Sequence, residues 1–300
     1  MLTANTLEER VSYYMQKLNF PTDANDDLLA ALGKICHNGA TFSAISDILA
    51  QYADDCHCHF TPILEQMRAL CDTLGIHTYT GELLLYLCMA DALRAHYRAK
   101  GISEEIFWNT LADLAYKLEE CRLVYGINGS FVGEWFKGFF KLERFALGRL
   151  QFELTHFKKP CTCHGIPLPV GTKAINVHIP RTGTHLEHTQ VEAAYKMARD
   201  FFLNDFAGGP VVFTCSSWLL YPWNLEILSP ASNLRAFISD YEIVRSGDYD
   251  DYSALWRLFD CNYTGNPDDL PQDSSLRRAY AARVRRGEPT GYGVGVFIMN

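Results

Sequence analysis

The chain has 300 residues, too many for one typical domain and comfortable for two. With 48% apolar and 21% charged residues it has the make-up of an ordinary globular protein, which excludes long disorder. A net charge of −8 argues against general nucleic-acid binding. No stretch reaches the roughly 20 uninterrupted apolar residues of a membrane-spanning helix. "MLTANTLEER" lacks a basic region followed by an apolar core, so no secretion signal is expected, and a cytoplasmic location follows by default.

The first 120 residues read as helices. "TLEERVSYYMQKL" opens with a Thr6–Glu9 capping-box pattern and repeats apolar residues at helical spacing. "DDLLAALGKI", "FSAISDILAQYA" and "PILEQMRALCDTLG" follow, separated by Pro, Asn and Gly. A buried helix is expected from about Gly81 to Ala99. Another follows, "SEEIFWNTLADLAYKLEEC", with Ser103 as its N-cap.

The character changes near Cys121, and residues 1–120 and 121–300 are expected to form two domains. "FALGRLQFEL" (Phe145 to Leu154) alternates like a strand. "AINVHIP" and "PVVFTCSSWLL" are near-continuous β runs suited to a covered sheet. A helix from Leu186 to Phe206 joins them. Next come the helix "SNLRAFISDY", the strand "EIVRSG", a basic helix with Arg277, Arg278, Arg283, Arg285 and Arg286, and the apolar terminal strand "GYGVGVFIMN". An all-helical first domain followed by an α/β (α+β) domain, a mixed sheet with helices on both faces, is the expected fold.

"VHIPRTGTHLEHTQ" raises a chemical question. A strand that ends at a Gly/Thr turn before a helix delivers backbone N–H groups without intrahelical partners to one place. The helix dipole adds partial positive charge there, and the arrangement favours an anion. Gly183 permits close approach, Thr182 and Thr184 can donate hydroxyls, and Arg181 brings a full charge. The plainer account is a connector with Thr184 as N-cap. The five arginines of the basic helix have the same two readings, a solvated face or a grip on a phosphorylated ligand.

The order of these elements resembles the GNAT superfamily of acyl-CoA-dependent acyltransferases. In that fold a central strand ends at a pyrophosphate-binding turn, a helix follows, and the next strand splays away to admit the acyl-thioester arm. "AINVHIP", "RTGTH" and "VVFTCSSWLL" take those three places, and Asn233, Ala236 and Tyr241 match a motif beyond the second strand. The whole chain resembles two-part bacterial proteins that join a helical N-acyltransferase domain to a GNAT-like C-terminal domain. Two positions depart from the pattern: Pro180 stands where the family has Gln or Arg, with Arg181 one place late, and Tyr241 is one residue late.

The resemblance implies transfer of an acyl group, acetyl first, from a CoA thioester to an amine acceptor, with acyl-CoA as co-substrate and no metal. It implies a cofactor site of Arg181, Thr182, Gly183, Thr184 and Asn233. It implies Tyr241 as the acid that meets the thiolate, with Tyr221 as substitute, and the reaction needs a base, for which His178 is the candidate. A binding module that keeps the cleft without the chemistry is the alternative, and a hydrolase using Cys215, Ser216 or Ser217 stands third. The terminal strand can pair across a homodimer. The Cys/His clusters at Cys56, His57, Cys58 and His59, and at Cys161, Cys163 and His164, read as two unrelated loops. No nucleic-acid or membrane partner is expected.

Overall fold

A computed structural model of the chain describes residues 2–300, and these form two compact units. The first ends at Phe145 and the second runs from Ala146 to Asn300.

The first unit is helical: α1 (Ala4–Lys17), α2 (Thr22–His37), α3 (Gly39–Asp54), α4 (Phe60–Leu74), α5 (Thr78–Ala99), α6 (Glu104–Leu111), α7 (Asp113–Tyr125) and α8 (Gly133–Phe140). The expected division at residue 120 falls inside α7. Leu114, Leu118 and Cys121 of α7 and Phe136 and Phe140 of α8 are buried, so the helical unit needs these apolar faces and continues to residue 145. At the start, Thr3 caps α1 by accepting from the amide of Thr6, in place of the Thr6–Glu9 box. Ser103 caps α6 as expected, through the Ile106 amide. The central α5 buries Leu83, Leu84, Leu85, Tyr86 and Leu87 in succession. Its one buried acid, Glu82, is held by Arg68 at 2.7 Å, as a carboxylate in an apolar setting must be.

The second unit is built on a sheet of β1 (Arg144–Leu147), β2 (Leu150–His156), β5 (Lys173–His178), β6 (Val211–Ser217), β8 (Gly291–Met299) and β7 (Glu242–Asp248), in that spatial order. A hairpin of β3 (Cys161–Cys163) with β4 (Ile166–Leu168) forms a second, two-stranded sheet. The single strand expected over Phe145–Leu154 is two, β1 and β2, divided at Gly148, whose φ of +65° makes the turn. Helix α9 (His188–Phe201) connects β5 to β6, which are parallel. It stops five residues short of the expected Phe206, and Leu203–Phe206 continue as one 3₁₀ turn. Short helices α10 (Asn224–Ile227), α11 (Asn233–Ser239) and α12 (Trp256–Phe259) precede the basic helix α13 (Ser275–Arg285).

Alternation decides what each face of the sheet buries. Phe152 of β2, Phe213 of β6 and Phe297 of β8 face α9, where Tyr195 packs among them. The Phe213 and Phe297 rings stack at 4.7 Å, and Tyr195 lies 4.8 Å from Phe297. Each such ring contributes on the order of 2–3 kcal/mol by leaving water. The opposite face carries Ala174 and Val212, covered by Cys163 and Leu168 of the hairpin. Strand β8 is hydrogen-bonded to β6 on one side and β7 on the other. Both its edges are therefore taken within the sheet from Gly293 to Val296.

Candidate active site

Where β5 and β6 meet, the sheet divides. Strand β5 pairs with β2 along its whole length, Lys173 with His156 through His178 with Gln151. Strand β6 likewise stays with β8 from Val211 to Ser217. Between them the ladder holds only Ile175 with Phe213 and Asn176 with Thr214. Beyond that point Val177 and His178 go with one half of the sheet, and Cys215, Ser216 and Ser217 with the other. The result is a wedge whose walls are backbone edges, the kind of surface to which an extended amide-containing ligand can bond. Pro180, two residues past the end of β5, has no N–H to continue a ladder and holds Ile179 extended, so the strand must turn away here.

The turn lies at the mouth of this wedge. A cleft of about 450 Å³ is bounded by residues 181–186 of the turn, by Trp218 and Leu219 beyond β6, and by Ser232 to Leu234 at the start of α11. All five residues expected to hold the cofactor, Arg181, Thr182, Gly183, Thr184 and Asn233, line it together. Gly183 has φ +73°, and open space lies where a side chain would stand, so its backbone is approachable from the cleft. The Thr182 and Thr184 hydroxyls are 2.8 Å apart. Thr184 does not cap the helix: α9 begins at His188, with Glu187 as the capping residue. The connector account therefore loses its reason for Thr184. Asn233 donates to the Glu187 carboxylate at 3.1 Å, which ties the start of α11 to the start of α9.

Two charged residues that the sequence reading missed support the turn. Arg149, from the β1–β2 hairpin, donates to the carbonyls of Pro180 and Thr184 at 3.1 and 3.4 Å and so clasps both ends of the loop. Its guanidinium brings to the cleft the charge that Pro180 does not supply. Asp260, in the left-handed region at φ +59°, accepts from Arg181 at 3.0 Å and from Arg277 at 2.5 Å. Sequence separation hid both. Arg149 is 32 residues from Arg181 and Asp260 is 79, and only the fold joins them. The basic helix divides between its two readings: Arg285 and Arg286 are exposed and pair with Asp268 and Glu288, and Arg278 donates to the Gln272 carbonyl, while Arg277 and Arg283 are largely buried, Arg277 on Asp260 and Asp273 and Arg283 on Glu288.

On the face of the sheet away from α9, His178, Asn176 and Glu153 converge. His178 Nε2 lies 2.8 Å from Glu153 Oε1, and the Asn176 amide donates to the same oxygen at 3.0 Å. A carboxylate can only accept, so the contact to Glu153 is made by the tautomer that carries its proton on Nε2. His178 is the last residue of β5, so this group stands at the edge of the wedge, half-buried.

The two tyrosines lie deeper and do not line the cleft. Tyr241 is buried, its hydroxyl 3.0 Å from that of Tyr195. Burial, then the neighbouring Tyr195 and Cys215, drives its pKa well above the usual tyrosine value, so the phenol keeps its proton. Tyr221 donates to Asp248 at 2.7 Å and accepts from Arg283 at 3.3 Å, committed to neighbours on the far side of β6. Of the three candidate hydrolase nucleophiles, Ser216 is exposed near the end of β6, while the other two are constrained. Burial pushes the Cys215 thiol up to about 12, which leaves almost no thiolate at neutral pH, and the Ser217 hydroxyl accepts from the Leu219 amide.

The model of the GNAT-like C-terminal domain matches residues 145–297, just over half of the chain, and that of the N-acyltransferase N-terminal domain matches residues 9–142. No curated protein sequence matches. Among solved structures, the chain is similar to an acyltransferase in complex with decanoyl-CoA and teicoplanin. The two share 23% identity at a TM-score of 0.76, over 97% of this chain and 88% of that one. It is similar at 22% identity and TM-score 0.76, with the same coverage, to an acyltransferase mutant in complex with octanoyl-CoA. A third acyltransferase structure, in complex with decanoyl-CoA, gives 22% identity and a TM-score of 0.73, over 94% of this chain and 85% of that one. The divided sheet, its turn and these matches agree: the chain belongs to the family with a GNAT-like C-terminal domain, joined here to an N-acyltransferase N-terminal domain.

Proposed function

We propose that the protein transfers an acyl group from acyl-CoA to an amine. The observation that carries this reading is the two-residue pairing of β5 with β6, which opens the sheet directly above a turn lined by Arg181, Thr182, Gly183 and Thr184. The pyrophosphate lies in the turn, met by its amides and by Arg181, while the pantetheine arm enters the wedge and bonds to the strand edges. Asn233 closes the far wall of the cleft.

The reaction then needs two proton transfers. His178, oriented by Glu153, takes a proton from the acceptor amine as its nitrogen attacks the thioester carbonyl. The tetrahedral intermediate collapses, the carbon–sulfur bond breaks, and the thiolate leaves with a proton. Tyr241 is our choice of donor. It stands beside Cys215, the first residue of β6 past the paired stretch, and its phenol is protonated at every working pH. Tyr241→Phe is expected to lower kcat by about 10- to 100-fold, within the range of a general acid, with Tyr221→Phe near wild type. Equal rates for both variants would remove Tyr241 from the mechanism.

The acceptor is an amine-bearing molecule, and the similar structures suggest a glycopeptide with a medium-length acyl donor. Acetyl-, octanoyl- and decanoyl-CoA are to be tested against an amine panel that includes such a glycopeptide. Release of free CoA dependent on the acceptor supports the enzyme, and binding without turnover supports the non-catalytic module. The ten free cysteines fit a reducing compartment, and we place the protein in the bacterial cytoplasm. Among the described residues no helix is long and apolar enough to cross a membrane.

Arg181→Glu tests the turn directly. Reversing the charge beside a pyrophosphate is expected to weaken CoA at least tenfold, about 1.4 kcal/mol or more, as read by calorimetry. Unchanged affinity would return the turn to the status of a connector.

A further inference from the structure

The hairpin of β3 and β4 has three residues in each strand, too few to be stable alone. Apolar packing of Cys163 and Leu168 holds it to the sheet at Ala174, Val212 and Val296. At its tip, a second kind of contact appears. His164 occupies the two-residue loop with φ +48°, a conformation most side chains avoid, and its backbone amide donates to Glu242 Oε2 at 2.5 Å. The His164 Nδ1 atom lies 3.3 Å from the same oxygen.

Glu242 is the first residue of β7 and is paired with Val296 of β8. The Cys163 thiol is directed at that same place, its sulfur 3.6 Å from the Val296 carbonyl. The thiol, the imidazole and the carboxylate thus meet above one point of the β7–β8 ladder, with their donor atoms all within 4.8 Å of one another. A thiolate, an imidazole and a carboxylate together are the donor set of zinc, with legs of about 2.0–2.3 Å. A tetrahedral ion with such legs sets nitrogen and oxygen donors about 3.3 Å apart, and the His164–Glu242 pair already has that separation. The sulfur must close in by roughly an ångström. Cys163 is the last residue of β3, next to the loop, and its side chain turns about one bond.

We propose that Cys163, His164 and Glu242 form a binding site for a single divalent ion of the zinc class, which staples the hairpin to β7. The ion replaces the thiol proton, and with it the contact to the Val296 carbonyl. Cys163 is fully buried, while the imidazole is largely accessible and the carboxylate partly so, and the ion enters from the side of His164 and Glu242. A fourth position on that side is left to water. This site lies on the same face of the sheet as His178 but shares no residue with the acyl-transfer machinery, and the inference does not rest on that reading.

The test uses the full-length protein, freed of metal by chelation and titrated with Co²⁺ and then Zn²⁺ alone. One equivalent of Co²⁺ should give a sulfur-to-cobalt charge-transfer band and the intense visible bands of tetrahedral coordination, and Zn²⁺ should displace it. His164→Asn keeps a residue that tolerates the left-handed conformation, and Glu242→Gln keeps the shape of the side chain. Each should weaken binding at least tenfold while the far-ultraviolet spectrum stays that of wild type. Cys163→Ser should abolish the charge-transfer band, and the double variant Cys56→Ser/Cys58→Ser should retain it. The idea fails if the wild type shows no such band, or if the band survives in Cys163→Ser and is lost with Cys56 and Cys58.

Discussion

Replacing His178 by alanine is expected to lower kcat by about 10²- to 10⁴-fold, the usual contribution of a general base. The affinity for acyl-CoA should stay close to that of wild type, because His178 lies outside the group of residues that lines the cleft. Rapid-quench measurement of CoA release beside equilibrium binding separates the two quantities. Glu153→Gln preserves the hydrogen bond to Nε2 but removes the charge that stabilises the imidazolium, so it should show a smaller loss, again in kcat and not in binding. A His178→Ala variant that turns over at the wild-type rate would leave the Glu153–His178 pair as a polar cross-strand contact and nothing more. Loss of both binding and turnover, in contrast, would mean that the histidine supports the wedge itself.

The second large effect concerns stability. A β-carbon added at Gly293 would stand 2.0 Å from the Leu220 carbonyl oxygen and 2.6 Å from its carbon. Both are backbone atoms, so no rotamer can give way, and the 3₁₀ turn at Trp218–Leu220 must move off β8. Overpacking of a core by one group typically costs 1–3 kcal/mol, and Gly293→Ala is expected at or above about 3 kcal/mol, since only backbone can shift. For a unit of this size that corresponds to a fall in Tm of roughly 6–12 °C. Because Trp218 and Leu219 also form a wall of the cleft, acyl-CoA should weaken in parallel. A melting curve superimposable on wild type would show that the turn has slack.

Much of this fold could be read from residue order. The helical first unit, the β runs and the intervening helix all have periodicities set by the face they bury, and a period is visible in one dimension. The five residues that line the cleft, proposed here to hold the cofactor, were legible for a related reason. Four are consecutive in a strand-to-helix turn, where local geometry alone delivers amides and hydroxyls to one place, and Asn233 entered through the family resemblance. The domain boundary was harder, because α7 and α8 are amphipathic in the same way whether they close a first unit or open a second. Glu153, Arg149 and Asp260 were invisible for another reason. A cross-strand partner is fixed by register, and register is a property of the folded sheet. The sequence places Glu153 25 residues from His178, while the β2–β5 ladder places them 2.8 Å apart. Tyr241 was found by motif, but its burial against Tyr195 depends on α9 lying over Phe213 and Phe297.

The position of β8 has a consequence in time. It is made after β6 and β7, yet it occupies the slot between them. Until it arrives, β6 has only its two-residue contact with β5, and β7 has no partner in the sheet. Pairings so distant in sequence form late, since the loops they close must be ordered first. A ribosome-bound chain that has emerged as far as α13 therefore holds the turn and the helix that follows it, but not the second wall of the wedge. The wedge between β5 and β6 therefore waits on β8, because β8 is the strand that holds β6 along its whole length while β5 holds it at two residues.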